Sequence, residues 1–141
     1  VGNLVYKSWG GGLVTVSAAN DRDSVIEIPA TVKYQGVSYR VDELEDSAFA
    51  AHPFLKRVVM PDNPKLHVMK HIFAGSPNLE SIYFRSKTPP MLGNAIWRVT
   101  MDDIFETLSF RKIVLYVPQG SKDAYRRSPW GRFVYIVEFE K

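Results

Sequence analysis

The chain contains no cysteine, which excludes a disulfide framework, a thiolate metal site and a cysteine nucleophile within these residues. It has no run of 18 or more apolar residues, so no stretch reads as a membrane-spanning helix. No basic segment followed by an apolar one opens the chain, as a secretory leader would. Because the sequence starts at Val1 and not at Met, the expectation is that a signal peptide or a longer N-terminal region precedes it. Nucleophile-elbow, Walker and Gly-x-Gly-x-x-Gly motifs are missing as well, and Gly10-Gly11-Gly12 lacks the Lys-Ser/Thr that phosphate binding requires. No catalytic residue, cofactor or enzymatic activity is therefore expected. Excess charge is scarce: the net is +3, with seven basic against three acidic side chains from Arg111 onward and 11 against 12 before it.

What the chain does have is apolar material. With 141 residues, 45% of them hydrophobic and 13% aromatic, it can build one domain with a substantial core. That material repeats. AFAAHPFLKRVVMP, residues 48–61, and IFAGSPNLESIYFR, residues 72–85, align at an offset of 24: Phe49 with Phe73, Pro53 with Pro77, Leu55 with Leu79, Val58 with Ile82, Met60 with Phe84. Self-similarity at such a period signals stacked units, none of which buries its apolar face alone. An apolar-x-apolar triplet, usually followed by proline, recurs at Ile26-Glu27-Ile28, Val58-Val59-Met60, Ile82-Tyr83-Phe84 and Leu115-Tyr116-Val117, at intervals of 32, 24 and 33 residues. Alternation within each triplet predicts a strand with one buried face, and the proline that follows ends its pairing. Asp46 or Ser47 is expected to cap one helical turn that lays Phe49 on the core, with Phe73 doing the same one unit later. The longer intervals hold insertions. Residues 31–41 alternate around Gln35-Gly36 and residues 4–18 around a triple glycine, both hairpin signals. After Pro118, Ser121 is the expected N-cap of a short helix with Asp123 in its first turn, followed by a final strand over residues 133–139.

The motif Leu55-x-x-Val58-x-Met60-x-x-Asn63 fits the leucine-rich repeat template, and its variant with a Ser-Ala-Phe turn and a strand closed by proline resembles the BspA-like leucine-rich repeat family of bacterial surface and secreted proteins. Residues 34–41 are similar to the hairpin before that family's first repeat, and residues 86–90 with 115–125 to its C-terminal cap. His52 and Ser76 stand where the family often has cysteine, and Lys87 stands at the template asparagine of the second unit. The fold implied is a short, strand-dominated α/β leucine-rich-repeat solenoid. Its expected parts are an N-terminal β-hairpin cap at residues 1–41, two clear repeats at 42–87, and an insertion, last coil and helix-strand cap at 88–141.

Three groups of residues invite chemistry. His67 and His71 would share a face only on a helix, but the repeat sets Val68 opposite Leu44, so the segment is extended and then turns; no metal site is expected. The acidic run Asp42-Glu43-x-Glu45-Asp46 lacks the spaced oxygen ligands of a calcium loop and reads as a solvated loop and cap. The basic, aromatic segment 125–133 has the composition of a single-strand nucleic-acid platform. The competing reading, with Tyr125, Trp130 and Phe133 buried over the last unit and the arginines facing outward, is the one adopted, so no nucleic-acid partner is expected. Trp9, Trp97 and Tyr83 remain as aromatics that could be exposed to a protein or glycan partner. The expected contacts are Tyr83, Arg85, Lys87, Trp97 and Arg98, and the expected role is an extracytoplasmic binding or adhesion module. The alternative is a structural stalk or terminal repeat block, with self-association through an open edge of the solenoid.

Overall fold

A computed structural model describes residues 4–8, 11–18, 22–74, 76–93, 98–105 and 109–140. Strands β1 (Leu4–Ser8) and β2 (Leu13–Ala18) form an antiparallel hairpin, whose turn includes Gly11 and Gly12 at left-handed φ of 67° and 73°. The short strand β3 (Val25–Glu27) follows. Then β4 (Thr31–Tyr34) and β5 (Val37–Leu44) pair around Gln35 and Gly36, both at positive φ as a tight two-residue turn demands. Beyond them lie β6 (Arg57–Val59), β7 (His67–Val68), β8 (Ser81–Tyr83) and β9 (Met91–Leu92). A 3-10 turn at Met101–Asp103 precedes helix α1 (Ser109–Lys112) and strand β10 (Val114–Pro118). Helix α2 (Lys122–Arg126), a second 3-10 turn (Pro129–Arg132) and β11 (Tyr135–Phe139) complete the chain.

Two sheets result. One runs β1-β2-β5-β7-β9 with β4 also on β5; the other runs β11-β10-β8-β6-β3, and each pairing in it is parallel. Parallel neighbours need long crossovers. Here each crossover between β3, β6, β8 and β10 passes through the opposite sheet before it returns: the β4–β5 hairpin, then β7, then β9. The four expected triplets fall side by side. Ile26, Val58, Ile82 and Leu115 are in register and Ile136 of β11 adds a fifth rung, none more than 3% exposed. From the opposite sheet, Val16, Leu44 and Val68 face them, all fully buried, with Leu44 paired to Val68 as the repeat required.

Phe49 stacks on Phe73 with ring centroids 5.9 Å apart and planes 18° from parallel, and Phe105 continues the column 5.6 Å beyond. The expected capped helical turn beneath Phe49 does not form. Residues 46–51 make tight turns instead, with Ser47 at φ 60° and its repeat equivalent His71 at 58°. The reason lies in the hydrogen bonds: the N–H groups of Ser47, Phe49 and Ala51 donate to the carbonyls of Lys70, Ile72 and Ala74 in the next unit, so that only the alternate donors Ala48 and Ala50 bond locally, to Glu45 and Ser47, and no continuous helical ladder forms. Ser76 stitches the same two units, accepting from the His52 N–H at 3.1 Å and donating to the Phe49 carbonyl at 2.8 Å.

At the C-terminal end Tyr125, Trp130 and Phe133 are fully buried. Trp130 Nε1 donates to the Pro90 carbonyl at 3.0 Å. Ser121 occupies the expected cap position of α2, but its hydroxyl turns back to donate to the Pro118 carbonyl. The Glu138 carboxylate takes its place, accepting from the Lys122 N–H at 2.9 Å. Among the described residues no helix is long and apolar enough to cross a membrane.

Candidate recognition surface

Side chains along a strand alternate faces, so the register that stacks Ile26, Val58, Ile82, Leu115 and Ile136 inward sets a second row outward: Glu27, Val59, Tyr83, Tyr116 and Val137. Tyr83 and Tyr116 lie abreast, with centroids 4.3 Å apart and planes 9° from parallel. Phe139 packs against Tyr83 from the side at 5.8 Å. The Arg57 guanidinium sits 5.1 Å from the Tyr83 centroid, within cation–π range. Arg85 pairs with Glu27, so the positive charge set against the tyrosines is that of Arg57.

This arrangement has a chemical consequence. The face of Tyr83 on one side is taken by Arg57 and on the other by Tyr116, so the Tyr83 ring presents its edge to solvent. A sugar that stacks on an open aromatic face finds none on Tyr83. Both phenolic hydroxyls are without a hydrogen-bond partner among the described residues, free to donate to and accept from an incoming group. Rigid tyrosines with an apolar body and a polar tip, bordered by arginine, make up the composition enriched at protein interfaces.

Next to this ridge, at the carboxyl ends of the parallel strands, a cleft of about 650 Å³ is lined by Asp62, Arg85, Ser86, Lys87, Gln119 and Glu140 among others. The repeat alignment set Lys87 at the template asparagine, and the structure corrects this. Asn63 donates to the Val41 carbonyl and accepts from the Lys65 N–H. The buried Ser86 accepts from the Thr88 N–H in the same i to i+2 manner. Position 86 thus takes the inward role, one residue early, and Lys87 is exposed. The Ser86 carbonyl also accepts from the Tyr125 hydroxyl at 2.7 Å. Burial pushes the Tyr125 phenol well above its ordinary pKa, with the Asp62 charge adding to it, so it stays a donor.

Of the five expected contacts, Tyr83, Arg85 and Lys87 come together here. Arg98 lines a different cleft, with Arg126, Arg127 and Arg132, and Trp97 lies outside the described residues. Tyr116, Phe139 and Arg57 belong to the surface and were not expected. The first had a signal: aligning the triplets sets Tyr116 directly beside Tyr83. The histidines do not converge. His67 Nδ1 is 2.7 Å from the Gly93 carbonyl, His71 faces Asp46 at 3.6 Å, and His52 is buried with neither ring nitrogen bonded. Among the described residues no three histidines or carboxylates gather at a metal-binding distance.

Neither a protein-family model nor a curated protein matches this sequence. In structure the chain is similar to a leucine-rich cell surface protein of Faecalibacterium prausnitzii, with a TM-score of 0.55 and 15% identity. The match covers 85% of this chain and 36% of that one. The likeness is one of fold: a strand-dominated leucine-rich architecture.

Proposed function

We propose that this chain is a non-catalytic binding module displayed outside the cytoplasm. In this reading it is a short leucine-rich-repeat solenoid, closed by the β1–β2 and β4–β5 hairpins at one end and by α2 and β11 at the other, and it recognises a protein partner. The observation that carries the reading is the Tyr83–Tyr116 pair on the outer face of the parallel sheet, with the Tyr83 edge and the free hydroxyls outward. The two covered faces of Tyr83 favour a protein over a glycan, because protein donors and acceptors meet phenol tips whereas sugars seek exposed faces. The cell-surface neighbour supports the location. A second reading, a terminal repeat block of a larger surface protein, draws support from the open β11 edge, where Val134, Tyr135 and Val137 are about half exposed.

The test is an array of extracellular proteins and glycans probed with the purified chain, each hit measured again with Tyr83→Ala, Tyr116→Ala and, as control, Lys33→Ala on β4. The expected result is a protein hit that loses roughly thirtyfold or more in affinity with each tyrosine variant and nothing with the control. Hits that both tyrosine variants leave unchanged overturn the assignment of this face.

A further inference from the structure

A second cleft, of about 930 Å³, opens between residues 89–92, residues 98–101 and the α2 region. Four arginines line it, Arg98, Arg126, Arg127 and Arg132, and no acidic side chain is among the described residues that do. Two of the four are fixed in place. Arg126 donates to the carbonyls of Phe133 and Val134 at 2.6 and 2.9 Å. Arg132 donates to Asp102 at 2.8 Å and lies 4.2 Å over the Phe110 ring. Arg98 and Arg127 are exposed, and their guanidinium groups have no partner among the described residues. Between the charges the wall is apolar: exposed Met91 and Pro129 with half-buried Pro89 and Leu92, over a floor of buried Pro90, Val99 and Met101.

We infer that this cleft is a docking site for an acidic protein segment, whose carboxylates pair with Arg98 and Arg127 while its apolar side chains lie against the wall of Met91, Leu92 and Pro129. Guanidinium groups match carboxylates in bidentate geometry, and like charges gathered around one open cleft favour a counter-charged partner. A nucleic acid fits less well. The aromatics of this segment, Tyr125, Trp130 and Phe133, are fully buried and offer bases no surface to stack on. A sulfated polysaccharide would satisfy the arginines and leave the apolar wall uncovered.

Fluorescence anisotropy decides it with four labelled probes: a peptide of alternating glutamate and leucine, its glutamine–leucine counterpart, heparin and single-stranded oligo-dT. Each is titrated against the full chain and against an Arg98→Ser/Arg127→Ser variant, which removes no observed intramolecular contact. Expected are saturable binding of the glutamate–leucine peptide, at least about tenfold weaker binding of the glutamine peptide, and a loss of about tenfold in the variant with an unchanged urea midpoint. Four results overturn the inference: no saturable binding of the glutamate peptide, equal binding of the glutamine peptide, tighter binding of heparin or oligo-dT, or full affinity in the variant.

Discussion

Phe73 is the middle ring of the column and only 5% exposed, with Phe49 at 5.9 Å on one side and Phe105 at 5.6 Å on the other. Truncation to alanine removes most of a buried side chain from between two neighbours whose backbones are held by hydrogen bonds, Phe49 to Ile72 and Ser76 and Phe105 to Met101, and which cannot close the gap. The expected cost is about 3–5 kcal/mol. Against a total of roughly 7–20 kcal/mol for a domain of this length, Phe73→Ala remains folded at room temperature. With a urea slope of about 2 kcal/mol per molar, its midpoint falls by about 2 M. Truncating two rings to alanine could exceed the stability available, so coupling is better read from leucine variants, which keep most of the apolar volume and lose the stacking. In a Phe49→Leu/Phe73→Leu cycle, followed by the fluorescence of the buried Trp130 and by circular dichroism, the coupling should be about 0.5–1.5 kcal/mol. Phe49 and Phe133 share no ring partner, so their cycle should be additive to within about 0.5 kcal/mol. A Phe73→Ala cost below about 1 kcal/mol, or an additive Phe49/Phe73 cycle, refutes the continuous column.

Three further outcomes follow from local geometry. A Cβ on Gly131 would sit 2.1 Å from the Arg126 carbonyl oxygen, so Gly131→Ala should lower the unfolding free energy by about 1–3 kcal/mol through forced overpacking; an unchanged urea midpoint would mean that α2 and the following 3-10 turn are not in contact. Tyr125→Phe orphans the buried Ser86 carbonyl and should cost about 1–3 kcal/mol, again read from the midpoint, with less than about 0.5 kcal/mol contradicting the bond. The Lys122 N–H, and secondarily that of Gly120, hold the Glu138 carboxyl below its ordinary pKa of 4.5. A depressed carboxylate stabilises the fold fully above its unfolded pKa and loses that contribution as pH falls through the folded one. The stability gap between the parent chain and Glu138→Gln should therefore be level above about pH 5.5 and close on further acidification; a gap that widens in acid contradicts the cap.

The features legible in the sequence are those set by side-chain period. Apolar alternation in the triplets at 26, 58, 82 and 115 led to the register found, and Gly11, Gly12 and Gly36 marked turns that need left-handed backbone. What stayed hidden depends on partners distant in the chain. The turn beneath Phe49 has helix-cap residues, yet its alternate N–H groups are claimed by the next unit. Ser121 has the right chemistry to cap α2, but Glu138 reaches the helix end from β11. The third ring of the column, Phe105, follows Asp102-Asp103-Ile104 much as Phe73 follows Lys70-His71-Ile72, a match that the insertion before it obscures. On the candidate surface, Tyr83 and Tyr116 could be set abreast from their triplets. Phe139 could not, because its place depends on the pairing of β11 with β10, which no local pattern records.

The most direct measurement is a set of aromatic NOEs from the isotope-labelled chain in solution. A buried column of turn phenylalanines and an outward row of strand tyrosines predict ring–ring contacts between Phe49 and Phe73 and between Tyr83 and Tyr116, and none from either tyrosine to either of these two phenylalanines. A contact from Tyr83 to the Phe49 or Phe73 ring, or a missing Tyr83–Tyr116 contact, would contradict both the stacking and the surface built on it.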